Sequence, residues 1–197
     1  VFPQENSPDT KTNEQIIGRQ EATVSEGFVK EVIYRKDPDL SGYLCKPEST
    51  GKLPAVIYNH GGTGDQIGGA PEETCKALKD AGYVGFSPIR RPDIRDDRDL
   101  NDIYSALDYL KTLDYVDTGK LGMIGFSRGG YLTYLTISGN SDFRTAVILA
   151  AAPPRDKDLF YSRAKDIKIP VFLAVAENDL PAEQNKYKNL LESMTEL

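Results

Sequence analysis

The residues with the clearest chemical potential form a GxSxG pattern, in which Ser127 stands between Gly125 and Gly129. The residues before the pattern are apolar and those after it are amphipathic, so we expect a buried strand, a sharp turn that carries the serine, and a helix. The residues two before and two after the serine must be small, because strand and helix approach each other closely there. A serine displayed in this way is a nucleophile for acyl transfer. The alternative is a glycine-rich turn whose serine only caps the helix.

An acyl-transfer nucleophile needs N–H donors that stabilise the negative charge formed on the substrate oxygen. The N–H of Arg128 is one candidate, because it lies at the N-terminus of the expected helix, directly after the serine. A second glycine-rich segment, HGGTGD at residues 60–65, follows another expected strand. Its glycines let the backbone approach a ligand, and we expect Gly62 to supply the second donor, with Thr63 as the second choice. The alternative is an ordinary surface connection.

A carboxylate is expected to orient the base that activates the serine. Asp179 is the main candidate, because it follows an apolar run that predicts a buried strand and comes after Ser127 in the chain. Glu177 and Asp158 are weaker candidates. An aspartate before a helix also commonly caps it, and Asp179 could do only this for the helix expected from Pro181.

The base itself is the missing member of this set. A serine hydroxyl is a weak nucleophile until a base takes its proton, and in this chain order the base should follow the acid. The chain contains a single histidine, His60, which precedes both the serine and the acid. We therefore expect His60 to support the glycine-rich segment, and the catalytic histidine to be absent from these 197 residues.

These residues must be positioned by strands that alternate with helices. Helical spacing predicts helices over residues 71–81, from about residue 99 to 113, after the serine, and from residue 181 onward. Asp99 and Asp102 form a capping pattern at the start of the second helix. The alternation predicts an α/β fold with a doubly wound, mostly parallel sheet and an antiparallel hairpin at one edge. The expected strands cover residues 28–35, 40–46, 54–59, 83–88, 120–125, 145–152 and 169–176.

Composition restricts the class of partner. The net charge is −6 and charged residues make up 27% of the chain, which argues against nucleic acid or an anionic membrane surface. No apolar run is long enough to span a membrane. The expected partner is a small molecule, with no metal or cofactor. Arg90 and Arg91 could bind a substrate carboxylate at the mouth of the site, or could belong to a solvated loop.

The first 22 residues are polar and lack periodicity, which predicts a mobile arm before one domain over residues 23–197. The chain begins with Val1 rather than Met, as after removal of an export signal, so we favour a secreted or periplasmic protein over a cytoplasmic one. Cys45 falls in an expected strand and Cys75 in an expected helix. Both are expected to be small core residues rather than a disulfide or a metal site.

Together, the HGG segment, the GFSRGG turn and the END sequence after the seventh expected strand resemble the α/β-hydrolase superfamily. The run DLNDIYSALDYLKTLDYVDTGKLGMIGFSRGG is similar to the dienelactone hydrolase and prolyl-oligopeptidase-like branch. The resemblance implies that Ser127 is the nucleophile, Asp179 the acid of a catalytic triad, and the N–H groups of Arg128 and Gly62 the oxyanion hole. Dienelactone hydrolases proper use cysteine where Ser127 stands, and peptidases of the branch carry a large additional domain.

The resemblance implies a serine hydrolase that cleaves carboxylic esters of small molecules through an acyl-enzyme. A peptidase or acyltransferase with the same nucleophile, and a non-catalytic binding relative, are the alternatives. The last strand, the histidine loop and the closing helix of the superfamily are not recognisable in the sequence, so we expect a domain that is incomplete at its C-terminal end. We also expect an apolar sheet edge, impaired activity of this chain alone, and a tendency to form homo-oligomers.

Overall fold

The computed structural model describes residues 24–63, 66–92, 96–152 and 162–176. Within these ranges the helices are α1 (Pro71–Asp80), α2 (Asp96–Lys111) and α3 (Arg128–Gly139), followed by a 3-10 helix over Ala164–Asp166. The strands are β1 (Phe28–Arg35), β2 (Leu40–Lys46), β3 (Leu53–Asn59), β4 (Gly61–Thr63), β5 (Gln66–Gly68), β6 (Val84–Pro88), β7 (Val116–Phe126), β8 (Phe143–Leu149) and β9 (Val171–Ala174).

Most of the described strands form one sheet in the order β1-β2-β6-β3-β7-β8-β9. β1 pairs antiparallel with β2, and β2 pairs antiparallel with β6. The remaining pairs are parallel, which confirms the predicted α/β fold with its mostly parallel sheet and edge hairpin. Because β3 and β7 are parallel neighbours, their carboxyl ends lie side by side. The segment after β3 and the serine after β7 therefore meet at one edge of the sheet.

The helices pack on this sheet in two different ways. α3, which follows the serine, is buried along almost its whole length. α2 buries one stripe that includes Ile103, Leu107 and Leu110, as its periodicity predicts. Leu100 and Leu113, at the two ends of that stripe, are only partly buried against the core. The helix that carries the serine is thus fixed on all sides by the core.

Three local expectations are wrong. β7 begins at Val116, four residues before the start at residue 120 that the sequence predicts. The segment after β3 is not a plain loop, because β4 and β5 form a small antiparallel hairpin in which Gly62 lies opposite Ile67. α2 begins at Asp96, so Asp99 and Asp102 lie inside the helix and do not cap it. Both carboxylates are buried and form ion pairs, described below.

The expectation for the cysteines is also wrong. Cys45 on β2 and Cys75 on α1 form a disulfide, with their Cα atoms 5.7 Å apart. Both are buried core residues, as the sequence predicts, but they are bonded to each other. They are 30 residues apart in the chain and lie on different elements, so no local pattern reveals the pairing. The bond fastens α1 to the antiparallel edge of the sheet.

Some predictions lie outside the described residues. They include the N-terminal arm over residues 1–22 and the helix expected from residue 181, and they stay predictions. Within the described ranges, none of the helices combines the length and the apolar character needed to cross a bilayer.

Candidate active site

Ser127 lies on a strained turn between β7 and α3. Its backbone angles are φ 53° and ψ −118°, a region that a residue with a Cβ rarely adopts. Such a conformation costs about 1–3 kcal/mol and persists only where the surroundings impose it. Here the Ser127 N–H donates to the carbonyl of Leu149 (2.9 Å), while the Ser127 carbonyl accepts from the N–H groups of Tyr131 (3.1 Å) and Ala152 (2.8 Å). These bonds tie the turn to the end of β8 and to the first turn of α3.

The glycines around the serine are required by close backbone contacts. A Cβ at Gly125 would collide with the carbonyl of Gly129 and the hydroxyl of Thr133. A Cβ at Gly129 would collide with the carbonyls of Asn59 and His60, which lie at the end of β3. The GxSxG spacing therefore brings α3 into contact with both β7 and β3, as the pattern predicts.

The glycine-rich hairpin lies directly beside the serine. A Cβ at Gly61 would lie 3.1 Å from the Cβ of Ser127 and 2.9 Å from the ring of Phe126. Gly62, the next residue, has a φ of 76°, which glycine adopts without strain. The structure thus brings the segment of the expected second oxyanion donor next to Ser127. Thr63, the second choice, ends β4, one residue further along the hairpin.

His60 is buried between β3 and the hairpin and is 3% exposed. Its Nε2 accepts a hydrogen bond from the N–H of Arg90 (3.2 Å), so the ring proton is on Nδ1 and is donated to the carbonyl of Gly61 (2.7 Å). Burial, together with the charge of Arg90, lowers the pKa of His60 to about 4. Both ring nitrogens are engaged in bonds to the backbone, and the ring stays neutral at pH 7.

Arg90 supports the same segment from the other side. Its side chain is 7% exposed, and its Nη2 donates to the carbonyl of His60 (2.7 Å). Burial lowers the pKa of Arg90 to about 10, although the nearby carboxylate of Asp99 opposes this change. Arg90 is therefore buried and does not belong to a solvated loop, which corrects that interpretation of the residue from the sequence.

Two ion pairs with buried carboxylates continue from Arg90 along α2. Arg91 donates through both Nε (3.0 Å) and Nη2 to the carboxylate of Asp102, which is fully buried. Arg128, the residue after the serine, donates through Nη2 to Asp99 (2.9 Å) and lies over the ring of Tyr131. Burial raises the pKa of Asp99, and the charges of Arg128 and Arg90 act against that rise. We call the five residues Arg90, Arg91, Asp99, Asp102 and Arg128 the charged layer.

The charged layer was not predicted from the sequence. A signal was present, because Asp99 is four residues before Ile103 and Asp102 is four residues before Ala106. Residues at this spacing share a helix face, so both carboxylates project toward the core. Buried carboxylates need a positive partner, and that need points to an arginine elsewhere in the chain.

The three carboxylate candidates fall in other parts of the chain. Asp179, Glu177 and Asp158 lie outside the described residues, as does the side chain of Thr63. Among the predicted site residues, the structure brings together Ser127, Arg128, Gly62 and His60 at the carboxyl edge of β3 and β7.

A serine on a strained turn, beside a glycine-rich hairpin at the carboxyl edge of a mostly parallel sheet, is the arrangement of an α/β-hydrolase fold. Solved structures of this class are similar to the chain. The "Crystal Structure of Putative Dienelactone Hydrolase" from Klebsiella pneumoniae has a TM-score of 0.73 and 20% identity, and the match covers 87% of this chain and 82% of that chain. Thermogutta terrifontis esterase 2 phosphoramylated by tabun has a TM-score of 0.71 and 16% identity, with 85% and 78% covered. At these identities the likeness establishes the fold.

The family follows from the sequence. The family model of the dienelactone hydrolase family matches residues 89–196, which is more than half of the chain, and the protein belongs to this family. The chain is also 27% identical to a protein of Yersinia pestis named "Putative carboxymethylenebutenolidase", over 74% of this chain. That match spans 64% of the relative, which is less than two thirds of its length. Family membership supports hydrolase activity.

Proposed function

We propose that the protein is a serine hydrolase that cleaves carboxylic esters of small molecules through an acyl-enzyme. The observation that carries this proposal is the strained backbone of Ser127, directly beside the glycine-rich hairpin. Strain of this kind is maintained where a residue must be displayed in one orientation. A serine that only capped α3 would accept a hydrogen bond from a backbone N–H in the first turn of the helix, and the Ser127 side chain makes no such capping bond.

The proposed reaction has two steps. In the first, a base takes the proton of the Ser127 hydroxyl, Oγ bonds to the ester carbonyl carbon, and the N–H groups of Arg128 and Gly62 stabilise the oxyanion. The tetrahedral intermediate then expels the alcohol, which takes the proton from the base. In the second step, the same base deprotonates a water molecule, which attacks the carbonyl carbon of the acyl-enzyme. The bond from that carbon to Oγ then breaks and Oγ takes the proton back from the base, so that the acid and the free serine are released.

The base is proposed to be a histidine outside these 197 residues, with Asp179 as the acid that orients it. The one histidine of the chain, His60, is unsuited to the role, because both ring nitrogens are hydrogen-bonded to the backbone and its pKa is lowered to about 4. Without a base, turnover should fall by a factor on the order of 10⁴ to 10⁶. We therefore expect residues 1–197 alone to hydrolyse p-nitrophenyl acetate far more slowly than the product of the complete coding sequence.

A fluorophosphonate probe tests the nucleophile. The complete protein should be labelled, and Ser127→Ala should abolish both labelling and ester hydrolysis. Ser138→Ala is a matched control on the same helix, since its hydroxyl donates to the carbonyl of Leu135, one turn earlier in α3. Labelling that survives in Ser127→Ala would remove Ser127 from the mechanism. A complete protein that is neither labelled nor active would favour the non-catalytic alternative, and cleavage of peptides in preference to short esters would favour a peptidase.

The disulfide supports a proposal on location. Disulfides persist mainly in oxidising compartments, and Cys45 and Cys75 are both bonded. We propose a secreted or periplasmic protein on this basis. Thiol alkylation of protein taken from its natural source, without reduction, should leave both cysteines unmodified. Rapid alkylation of either cysteine in denatured, unreduced protein would favour a cytoplasmic location.

A further inference from the structure

The glycine-rich hairpin that carries Gly62 is not built into the main sheet. β4 and β5 form a separate two-stranded sheet, and among the described residues neither strand pairs with the seven-stranded sheet. Each of the two strands has three residues. An isolated hairpin is at best marginally stable in water. Side chains from other elements must therefore hold the hairpin beside Ser127.

The first end of the hairpin is held by His60 and Arg90, as described above. Nδ1 of His60 donates to the carbonyl of Gly61 (2.7 Å), and Nη2 of Arg90 donates to the carbonyl of His60 (2.7 Å). Phe126 lies under both ends of the hairpin. A Cβ at Gly61 would lie 2.9 Å from its ring, and a Cβ at Gly69 would lie 3.0 Å from it. Both ends thus pack on the residue that precedes the serine.

Tyr58 holds the other end of the hairpin. Its hydroxyl donates to the carbonyl of Gly69, the residue directly after β5, at 2.5 Å. Tyr58 lies on β3 and is 4% exposed. Burial raises the pKa of its hydroxyl, so the group stays protonated and remains a donor at neutral pH. The carbonyl of Gly69 also accepts a longer bond from Oγ1 of Thr74 (3.3 Å), so Tyr58 makes the shorter of these two bonds.

The backbone between the hairpin and α1 shows that this end is constrained. Gly69 and Ala70 both have left-handed backbone angles, with φ of 87° and 45°. This conformation is unfavourable for alanine and persists only where the surroundings impose it. Oγ1 of Thr74 donates to the carbonyl of Ala70 (2.9 Å), next to the bond from Tyr58. A Cβ at Gly69 would collide with the hydroxyl oxygen of Tyr58, so the glycine is needed for this contact.

We propose that Tyr58 is a positioning residue that keeps the N–H of Gly62 within hydrogen-bond distance of the oxyanion. This inference rests on the proposed function of Ser127 and Gly62. In the hairpin, Ile67 of β5 lies opposite Gly62, so a shift of the end of β5 is passed to the donor through the paired strands. Oxyanion donors act over hydrogen-bond distances, and a displacement on the order of 1 Å is enough to lower the rate strongly.

The test is Tyr58→Phe in the complete protein, because this change removes the hydroxyl and keeps the buried ring. We expect kcat for p-nitrophenyl acetate to fall by roughly 5-fold to 50-fold, with KM changed by less than about threefold, since the oxyanion forms only after binding. A phenylboronic acid, which forms a tetrahedral adduct with the serine, should bind more weakly by a similar factor. A purely structural role would lower Tm without these two changes.

Tyr34→Phe is the matched control. Tyr34 lies on β1 and is 8% exposed, and among the described residues its hydroxyl has no hydrogen-bond partner. The substitution removes the same atom from a buried tyrosine that does not contact the hairpin. We expect kcat and the affinity for the boronic acid to stay within about twofold of wild type.

Gly69→Ala disturbs the same contact from the other side, and it keeps the inference testable if Tyr58→Phe does not fold. The added methyl group should displace the Tyr58 hydroxyl, so kcat should fall with little change in KM. Because both changes act on one contact, the double variant should lose less activity than the product of the two single losses. Single losses that multiply would mean that the two residues act independently, which would overturn the role of this contact.

The outcomes separate this inference from the proposed function. Unchanged kcat and boronic acid affinity in Tyr58→Phe, or equal losses in Tyr34→Phe, would overturn the role of Tyr58 alone. Ester hydrolysis that survives in Ser127→Ala would refute the proposed function and this inference with it.

Discussion

The turn that carries Ser127 and the charged layer beside it are neighbours that are built in opposite ways. The turn depends on side chains that are absent, because Gly125 and Gly129 leave room for strand and helix to touch. The charged layer depends on side chains that are present, because each buried carboxylate needs a particular arginine from another segment. The comparison indicates that close backbone packing sets the position of Ser127, while charge pairs between distant segments fix the surroundings of the turn.

The largest loss of stability should come from adding a side chain at the turn that carries Ser127. Gly129→Ala would place a methyl group against the carbonyls of Asn59 and His60, and neither backbone group can move without shifting β3. Alanine gains only about 1 kcal/mol over glycine in a helix, whereas overpacking against fixed backbone should cost more than about 4 kcal/mol. We expect a protein that fails to fold at 37 °C, measured by urea unfolding at lower temperature.

Gly51→Ala is the matched control for this change. Gly51 is exposed, and a Cβ there would meet no atom within 4 Å. Its free energy of unfolding should stay within about 0.5 kcal/mol of wild type. A stable, active Gly129→Ala variant would show that the turn does not depend on the missing side chain, and the contrast with the charged layer would disappear.

The same contrast explains which parts could be predicted from the sequence. The strand, the turn and the helix around Ser127 were predictable, because glycine spacing and apolar periodicity record local geometry within a few residues. The disulfide between Cys45 and Cys75 and the pairing of Asp99 with Arg128 were not, because each joins residues about 30 positions apart. Such pairings depend on how elements pack in three dimensions, and a single sequence carries no direct record of that.

Arg90 shows that burial of a charged residue can be hard to predict from the sequence. Two adjacent arginines in a polar stretch suggest exposure. Arg90 is nevertheless buried, because it directly follows the end of β6, where its backbone N–H and its side chain both bond to His60. Only the position of β6 beside β3 makes this contact available. A polar sequence around a charged residue is therefore poor evidence of exposure when the residue follows a central strand.

An intermediate loss of stability should follow from breaking an ion pair in the charged layer. Asp102→Asn removes a fully buried carboxylate and leaves Arg91 without its bidentate partner. Removal of one partner of a fully buried pair typically costs about 3–5 kcal/mol. The side chain of Arg91 is 25% exposed and can be solvated, and asparagine should retain part of the hydrogen bonding, so we expect a smaller loss of about 2 kcal/mol. Urea unfolding of wild type and variant measures it.

Glu72→Gln is the corresponding surface control. Glu72 pairs with Lys76 one turn along α1, and both side chains are about 40% exposed or more. Solvent screens such a pair, so we expect no resolvable change in the urea midpoint. Equal losses in Asp102→Asn and Glu72→Gln would mean that burial does not distinguish the charged layer from ordinary surface pairs.

The smallest expected loss of stability concerns His60, which contacts both the turn and the charged layer. Its carbonyl lies against Gly129 and accepts a hydrogen bond from Arg90. Its pKa is lowered to about 4 in the folded protein, below the usual value of 6.5, so the unfolded chain binds a proton more readily. The stability contributed by neutral His60 is complete above about pH 6.5 and declines as the pH falls toward 4. Between pH 7 and 5.5 the loss should be about 1 kcal/mol.

His60→Gln tests this prediction, because the glutamine amide can still bond to Arg90 but cannot titrate. The free energy of unfolding in urea should differ between wild type and variant by about 1 kcal/mol less at pH 5.5 than at pH 7. A difference that does not change with pH would mean that His60 is not held neutral, and that the two regions are less tightly joined through it than the hydrogen bonds indicate.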